Sequence, residues 1–334
     1  MVRIALLVAG AALLVVLFWR LGPLDIVHVL GRIGWYFVPV VLLGAGHQGV
    51  RAFALQASVL RHGALRYRDA FAIRLSGEAV RSLTFTGPAL AEPSKAWLLE
   101  ERGLSLREGF AAALTEYLVD AFVTAIIATS GIVFLLVRFR PEGTIRLVAV
   151  VAACLLVTFL IVSAIAIARR FYLIGTIIAW LARVGVLRGR LAPDMNAINR
   201  MEDLLLIMFR ERPARFATIA GIDTVAQLLY AVELFWLLRG IGVQAPPSVV
   251  YAIDASAKFF EFAYAAVPLQ VGVSEGTYAS IFAVVGLPLT AGVAVAILRR
   301  VRTLVIASIG LAMLTVMTRR RARRSPPHSA ATRA

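Results

Sequence analysis

The chain has 334 residues, of which 60% are hydrophobic, and its formal net charge is +16. Soluble globular proteins are about 45–50% apolar, so this composition excludes an ordinary soluble domain. The basic residues cluster beside long apolar runs, as the positive-inside rule predicts for membrane proteins, and we therefore expect no nucleic-acid partner. One cysteine and four scattered histidines predict no disulfide framework, no metal site and no other cofactor.

Several apolar runs reach the ~20 residues that a membrane-spanning helix needs. We therefore predict an all-α polytopic membrane protein with about six full spans and two re-entrant helical hairpins. Ser105 and Glu108 form a Ser-x-x-Glu capping box, which predicts the start of the third span. The predicted spans cover about 4–19, 35–57, 105–137, 145–168, 216–238 and 289–317.

Two apolar stretches between these spans each contain a carboxylate beside helix-breaking residues. Glu92 and Lys95 lie beside the predicted structural breaks Gly87, Pro88 and Pro93, and Glu275 lies among the predicted breaks Pro268, Gly272 and Gly276. Non-helical backbone is tolerated at membrane depth only where protein or an aqueous cavity surrounds it. A matched pair of such breaks predicts a transporter-type binding site near the middle of the bilayer.

The two stretches also lie in one register, because 183 positions separate Glu92 from Glu275. The same offset pairs Glu78 with Glu261, Gly103 with Gly286 and Gly109 with Gly292, and it gives eight identities in the 22 positions 92–113. We therefore predict an internal repeat. The predicted organisation is a single membrane domain over 1–317, with repeat one at about 35–137, repeat two at about 216–317, a basic segment at 169–215 and a basic disordered tail at 318–334.

Charge predicts the topology of the chain in the membrane. The segment 169–215 contains nine arginines and the tail is also basic, so both are expected on the cytoplasmic side. Both termini are then cytoplasmic, and the stretch 67–100 enters and leaves the membrane from the cytoplasm. The stretch 248–285 enters from the opposite side, which makes the two repeats inverted. In the alternative topology each hairpin is a pair of full spans.

Each predicted hairpin carries a charged triplet on one helix face, because its residues are spaced three or four apart. The triplets are Arg74, Glu78 and Arg81 in the first hairpin and Asp254, Lys258 and Glu261 in the second. A charge that faces lipid at mid-bilayer costs about 3 kcal/mol or more, so both triplets should face protein or a wet cavity. They form either a structural salt-bridge network or a site for a lipid headgroup, with arginines binding phosphate.

Other intramembrane charges allow the same two interpretations. Glu92 and Glu275 either cap the helices beside the breaks or contact substrate, and Lys95 is one turn from Glu92. The repeat offset pairs Glu116 with Arg299, which predicts an ion pair between the repeats. Glu116, Arg299 and Asp120, which is one turn after Glu116, are also candidate residues of the cavity that would bind the lipid headgroup.

These residues resemble the transmembrane region of the lysylphosphatidylglycerol synthase and flippase family. The similar pieces span about 35–317 and are Gly77-Glu78 with Arg81, Gly87 through Glu92-Pro93-Ser94-Lys95, Pro268 through Gly276, and Arg299-Arg300. The resemblance implies lipid translocation or lipid binding. Full-length synthases continue into a soluble aminoacyl-transferase domain, whereas 17 residues follow the last predicted span here, so we expect no aminoacyl transfer. Some stand-alone members accompany hopanoid biosynthesis.

The leading hypothesis is a lipid transporter, or flippase, of the bacterial inner membrane that moves a phospholipid, hopanoid or related amphipath. Its expected partners are membrane lipids and, at the cytoplasmic face, anionic headgroups. One alternative is an intramembrane enzyme that modifies lipids. Another is a non-catalytic accessory protein that binds enzymes of envelope-lipid biosynthesis.

Overall fold

The computed structural model describes residues 33–61, 63–84, 88–169, 209–263 and 273–324, together with 31, 175–176, 180, 202–203 and 206–207. The described chain is almost entirely helical, which confirms the predicted all-α fold. After a 3-10 turn at Gly34–Tyr36 the helices are α1 (Phe37–Ser58), α2 (Tyr67–Leu83), α3 (Pro88–Glu100), α4 (Leu106–Phe139), α5 (Gly143–Arg169), α6 (Pro213–Gly240), α7 (Pro247–Ala263), α8 (Val273–Val284) and α9 (Leu289–Arg324).

Five described segments are long and apolar enough to cross a membrane. They are Gly34–Ser58, Leu106–Phe139, Gly143–Arg169, Pro213–Gly240 and Leu289–Met317, and they correspond to five of the six predicted spans. The remaining predicted span, 4–19, lies outside the described residues, as do most of the segment 169–215 and the last ten residues of the tail. The chain is therefore a multi-pass helical membrane protein.

The same order of four helices occurs twice. The first half, α1–α4, contains helices of 22, 17, 13 and 34 residues, and the second half, α6–α9, contains helices of 28, 17, 12 and 36 residues. Gly103 and Gly286, which the offset of 183 pairs, both have positive φ, +86° and +77°, in the turn before the long helix. Glycine adopts this left-handed conformation without steric cost. The turns of the two halves therefore match as well as the helices.

The equivalent helices α1 and α6 pack against each other in opposite directions. Arg215, at the start of α6, donates hydrogen bonds to the carbonyls of Val59 and Leu60, just after α1. Gly240, the last residue of α6, lies against Ile33 and Tyr36 at the start of α1. Since equivalent helices run antiparallel, the two halves are inverted relative to each other.

Each pair of short helices forms a hairpin whose outer ends lie at one end of the bundle. Leu65 and Ala70, near the start of α2, pack in one cluster with Leu98 and Leu99 of α3, at the end of the bundle that we call end one. Val250 of α7 packs with Ile281 and Phe282 of α8 in another cluster. This second cluster also contains Ile33 and Leu238, which places it at the opposite end, end two. The hairpins thus enter the bundle from opposite ends.

Glycines bring the helices of this arrangement into close contact. Gly131 of α4 lies against Ala255 of α7, and Gly310 of α9 lies against the Leu75 carbonyl of α2. The last helix of each half therefore packs on the hairpin of the other half. Side chains larger than hydrogen at these positions would push the hairpins away.

The predicted breaks differ in part from the observed helices. Pro88 begins α3, but Pro93 lies inside that helix and Gly276 lies inside α8. Pro93 removes one helical hydrogen bond, to the carbonyl of residue 89, and a single loss so near a helix start is tolerated. Helix α2 ends at Leu83, and the backbone of Thr84, the next residue, is extended. Gly87, Pro268 and Gly272 lie outside the described residues.

Candidate functional site

Two charged residues occupy equivalent positions about a third of the way along the long helices. Glu116 lies ten residues after Leu106, the first residue of α4, and Arg299 lies ten residues after Leu289, the first residue of α9. At 1.5 Å per residue both are ~15 Å from the helix start. The two residues are therefore equivalent in their distance from the starts of their helices.

Glu116 joins all four helices of the first half. Its carboxylate forms ion pairs with Arg51 of α1, with Arg74 of α2 at 3.4 Å and with Lys95 of α3 at 2.6 Å. The Glu116 side chain is completely buried. A buried carboxylate requires such partners, because desolvation costs several kcal/mol that the ion pairs must offset.

The cations around Glu116 bind further carboxylates, and we call these residues the first network. Its other ion pairs within the first half are Arg51–Asp120 (2.8 Å), Arg74–Glu78 (3.5 Å), Arg81–Glu78 (3.2 Å) and Lys95–Glu92 (2.7 Å). Glu78 thus binds both arginines of its triplet, as their shared helix face predicts. Glu92 lies in the second turn of α3 and pairs with Lys95, so it does not cap this helix.

Arg299 occupies the corresponding position in a second network. It pairs with Asp254 of α7 at 2.7 Å and with Glu233 of α6 at 3.5 Å, and it donates a hydrogen bond to the hydroxyl of Tyr278 of α8. Further ion pairs of this network are Asp254–Lys258 (2.9 Å), Glu275–Arg300 (2.5 Å) and Glu233–Arg302. The Glu261 side chain lies outside the described residues.

The two networks have opposite charges at their central, equivalent positions. The offset of 183 relates Glu116 to Arg299 and Lys95 to Tyr278, and each short-helix residue binds the long-helix residue of its own half. The predicted ion pair between Glu116 and Arg299 is therefore wrong. Each finds its partners locally, because the first helix supplies a cation in one half, Arg51, and a carboxylate in the other, Glu233.

One known protein family has a model that covers nearly all of both halves. The family model of the lysylphosphatidylglycerol synthase transmembrane region matches residues 2–310. The chain belongs to this family. No curated protein and no solved structure matches it. The resemblance noted in the sequence is thus confirmed, and membership associates this membrane protein with a lipid-related role.

Two network residues of this family member are more exposed than the others that the structure describes. The Arg81 side chain is 37% exposed and the Glu275 side chain is 23% exposed. Arg81 lies in the last turn of α2, and Glu275 lies in the first turn of α8. Both are therefore at the inner end of a hairpin, where a molecule entering the bundle could reach them.

Aromatic side chains connect the networks at the contact between α1 and α6. His47 of α1 stacks on Tyr230 of α6 with ring centroids 4.0 Å apart. Three cations of the second network, Lys258, Arg299 and Arg302, lie 5.0, 5.8 and 4.9 Å from the Tyr230 ring centroid. Such cation–π contacts stabilise buried cations when water is excluded.

Sequence reasoning assigned no site role to Tyr230 or Tyr278. The signal for Tyr278 was present, because the offset of 183 places it opposite Lys95, a residue with a predicted role. Tyr230 carries no such signal, since its importance depends on three cations that fold around its ring.

Proposed function

We propose that this protein moves lipids between the leaflets of the bacterial inner membrane, with a headgroup site at the inner ends of two re-entrant hairpins. The observation that supports this most is the position of the two networks. Charges buried among membrane-spanning helices are costly and are typical of substrate pathways. Each network includes one partly exposed charge at a hairpin's inner end, Arg81 or Glu275.

These two residues suit the chemistry of a lipid headgroup. The guanidinium of Arg81 can bind a phosphate through two parallel hydrogen bonds. The carboxylate of Glu275 can accept hydrogen bonds from an amine or a hydroxyl. The headgroup would cross the bundle between such groups while its apolar tail stays in the surrounding lipid.

Arginine distribution supports the proposed orientation. The described residues near end one include Arg61, Arg66, Arg68, Arg102, Arg107 and Arg212, and those near end two include Arg138, Arg140, Arg146 and Arg239. By the positive-inside rule the more basic end one faces the cytoplasm, where it would also attract anionic headgroups. The hairpin α2–α3 then re-enters from the cytoplasm and α7–α8 from outside, and both chain termini are cytoplasmic.

The distribution of ion pairs favours transport by movement of one half against the other. Among the described ion pairs of the two networks, all but one join residues of the same half. The exception is the long contact of Arg51 of α1 with Asp223 of α6, at 3.6 Å and without a described hydrogen bond. The halves pack closely against each other, but few ion pairs between them would have to break if one half rocked against the other, as in inverted-repeat transporters.

Reconstitution into liposomes tests this proposal. Liposomes carry a fluorescent anionic phospholipid in both leaflets, and a membrane-impermeant quencher is added outside. We expect the quencher to reach more of the label in liposomes with protein than in empty ones. Equal quenching in both would overturn the proposal and favour the enzyme or the accessory protein.

A matched pair of variants tests the headgroup site. Arg81→Gln should slow lipid movement about tenfold or more, because hydrogen bonds to charged groups contribute ~1.5–3 kcal/mol. Arg102→Gln is the control: Arg102 is 32% exposed and pairs with Asp69 at 3.0 Å, but it lies at end one. The site assignment fails if both variants move lipid at the same rate.

A further inference from the structure

Asp223 is a buried carboxylate without a hydrogen-bond donor among the described residues. It lies in α6 and is completely buried, and neither side-chain oxygen has a hydrogen-bond partner in the described part of the chain. Its nearest ion-pair partner there, Arg51 Nε, is 3.6 Å away and also lacks a hydrogen bond. An ionised carboxylate in such surroundings is costly, and a buried acid in this position instead takes up a proton.

The charges around Asp223 are already engaged with each other. From α1, the two terminal nitrogens of Arg51 bind Glu116 and Asp120 of α4. From α2, Arg74 is shared by Glu116 and Glu78. A third carboxylate beside Arg51 therefore meets two other carboxylates that already occupy the nearby cations.

The neighbouring histidine is placed among cations instead. His47 of α1 stacks on Tyr230, whose ring also contacts Lys258 of α7 and Arg302 of α9. A positive charge on His47 would be repelled by these residues and by Arg51, one turn away. Of the two, the carboxylate is the group suited to hold a proton.

We infer that Asp223 is a proton-binding site that couples protons to the movement of the two halves. In the described arrangement Asp223 is a neutral carboxylic acid. When it releases its proton to water, the carboxylate and Arg51 Nε can approach by less than about 1 Å and form a hydrogen-bonded ion pair. Because α1 and α6 belong to different halves, this ion pair joins the halves, and reprotonation separates them. The coupling rests on the proposed lipid transport, whereas the protonation does not.

Infrared spectroscopy of the purified protein tests the protonation directly. The C=O stretching band of a protonated carboxylic acid is separate from the carboxylate bands. We expect this band at neutral pH in the wild type, its loss in Asp223→Asn, and its retention at a shifted position in Asp223→Glu. Asp69→Asn, which changes a carboxylate paired with Arg102 at end one, should leave the band unchanged. A wild-type band that persists in full in a folded Asp223→Asn variant would overturn the inference.

Liposomes with imposed ion gradients test the coupling. A proton gradient should change the rate of lipid movement severalfold in the wild type and have no effect in Asp223→Asn. Stimulation by a sodium gradient alone, or an equal response of both proteins to protons, would contradict the coupling. If the wild type moves no lipid but loses its infrared band on Asp223→Asn substitution, the proposed function fails and the proton site remains.

Discussion

The two halves of the molecule share their helices but differ in how charge holds them together. In the first half three cations converge on one carboxylate, Glu116. In the second half the carboxylates are distributed over three arginines of α9, Arg299, Arg300 and Arg302. The position of the central charged residue, ten residues after the first residue of the long helix, is therefore common to both halves. The sign of its charge and the number of ion pairs that it forms are not.

This difference has a consequence for the hairpins. Both helices of the first hairpin are tied to Glu116, through Arg74 and Lys95. In the second hairpin Arg299 binds Asp254 of α7 and Tyr278 of α8, and α8 is tied in addition to Arg300 through Glu275. The charges of the first hairpin thus converge on one residue, whereas the second hairpin has a further attachment at Arg300.

Removal of the central charge in each half should give the largest effect. We expect Glu116→Gln to reduce the free energy of unfolding by ~3–5 kcal/mol, because it leaves an excess of buried positive charge. Arg299→Gln should cost less, since Glu233 retains Arg302 and Asp254 retains Lys258. Denaturant unfolding of the purified proteins in micelles measures both.

The control for this pair is the same substitution elsewhere on α4. Glu108 is half-buried and accepts a hydrogen bond from the Ser105 backbone in the capping box. Glu108→Gln should therefore cost no more than ~1 kcal/mol. An Arg299→Gln variant that is less stable than Glu116→Gln would show that the second half, too, depends on one residue.

The second prediction compares the two short-helix residues that the offset relates. Lys95→Met should cost about 3 kcal/mol, because Glu92 loses its described cation and Glu116 loses one of three. Tyr278→Phe removes a hydrogen bond from an arginine that keeps Asp254 and Glu233, so ~1.5 kcal/mol is expected. Thermal unfolding compares the variants, and a Tyr278→Phe that is as damaging as Lys95→Met would contradict the comparison.

Much of this symmetry could be predicted from the sequence. The offset of 183 correctly relates Gly103 to Gly286 as turn residues, because a positive φ restricts the choice of residue strongly. It also relates Lys95 to Tyr278, although their side chains differ. The long apolar helices are predictable because the membrane requires their length and composition.

The partners of the charges could not be predicted in the same way. Arg51 and Glu116 are 65 positions apart, and no local spacing indicates that they meet. Equal offsets and opposite charges suggest that Glu116 binds Arg299, but the offset identifies equivalent positions rather than contacts. The predicted break at Pro93 is wrong because a proline is tolerated near a helix start, where few hydrogen bonds depend on it.

The last prediction concerns packing that is the same in both halves and independent of charge. A Cβ at Gly109 would lie 2.8 Å from the Ala96 carbonyl oxygen, and one at Gly292 would lie 2.7 Å from the Tyr278 carbonyl oxygen. In both cases the obstacle is backbone, which cannot rotate away. Gly109→Ala and Gly292→Ala should therefore each cost ~1–3 kcal/mol in the free energy of unfolding.

Two other helical glycines provide matched controls for these variants. At Gly46 of α1 and Gly221 of α6, an added methyl group would have no described neighbour within 4 Å. Gly46→Ala and Gly221→Ala should thus be neutral or stabilise the protein by up to ~1 kcal/mol, the helix propensity of alanine over glycine. Equal costs at Gly109 and Gly292 would mean that backbone packing is shared while charge is not. Unequal costs would mean that the two halves differ in their backbone packing as well as in their charges.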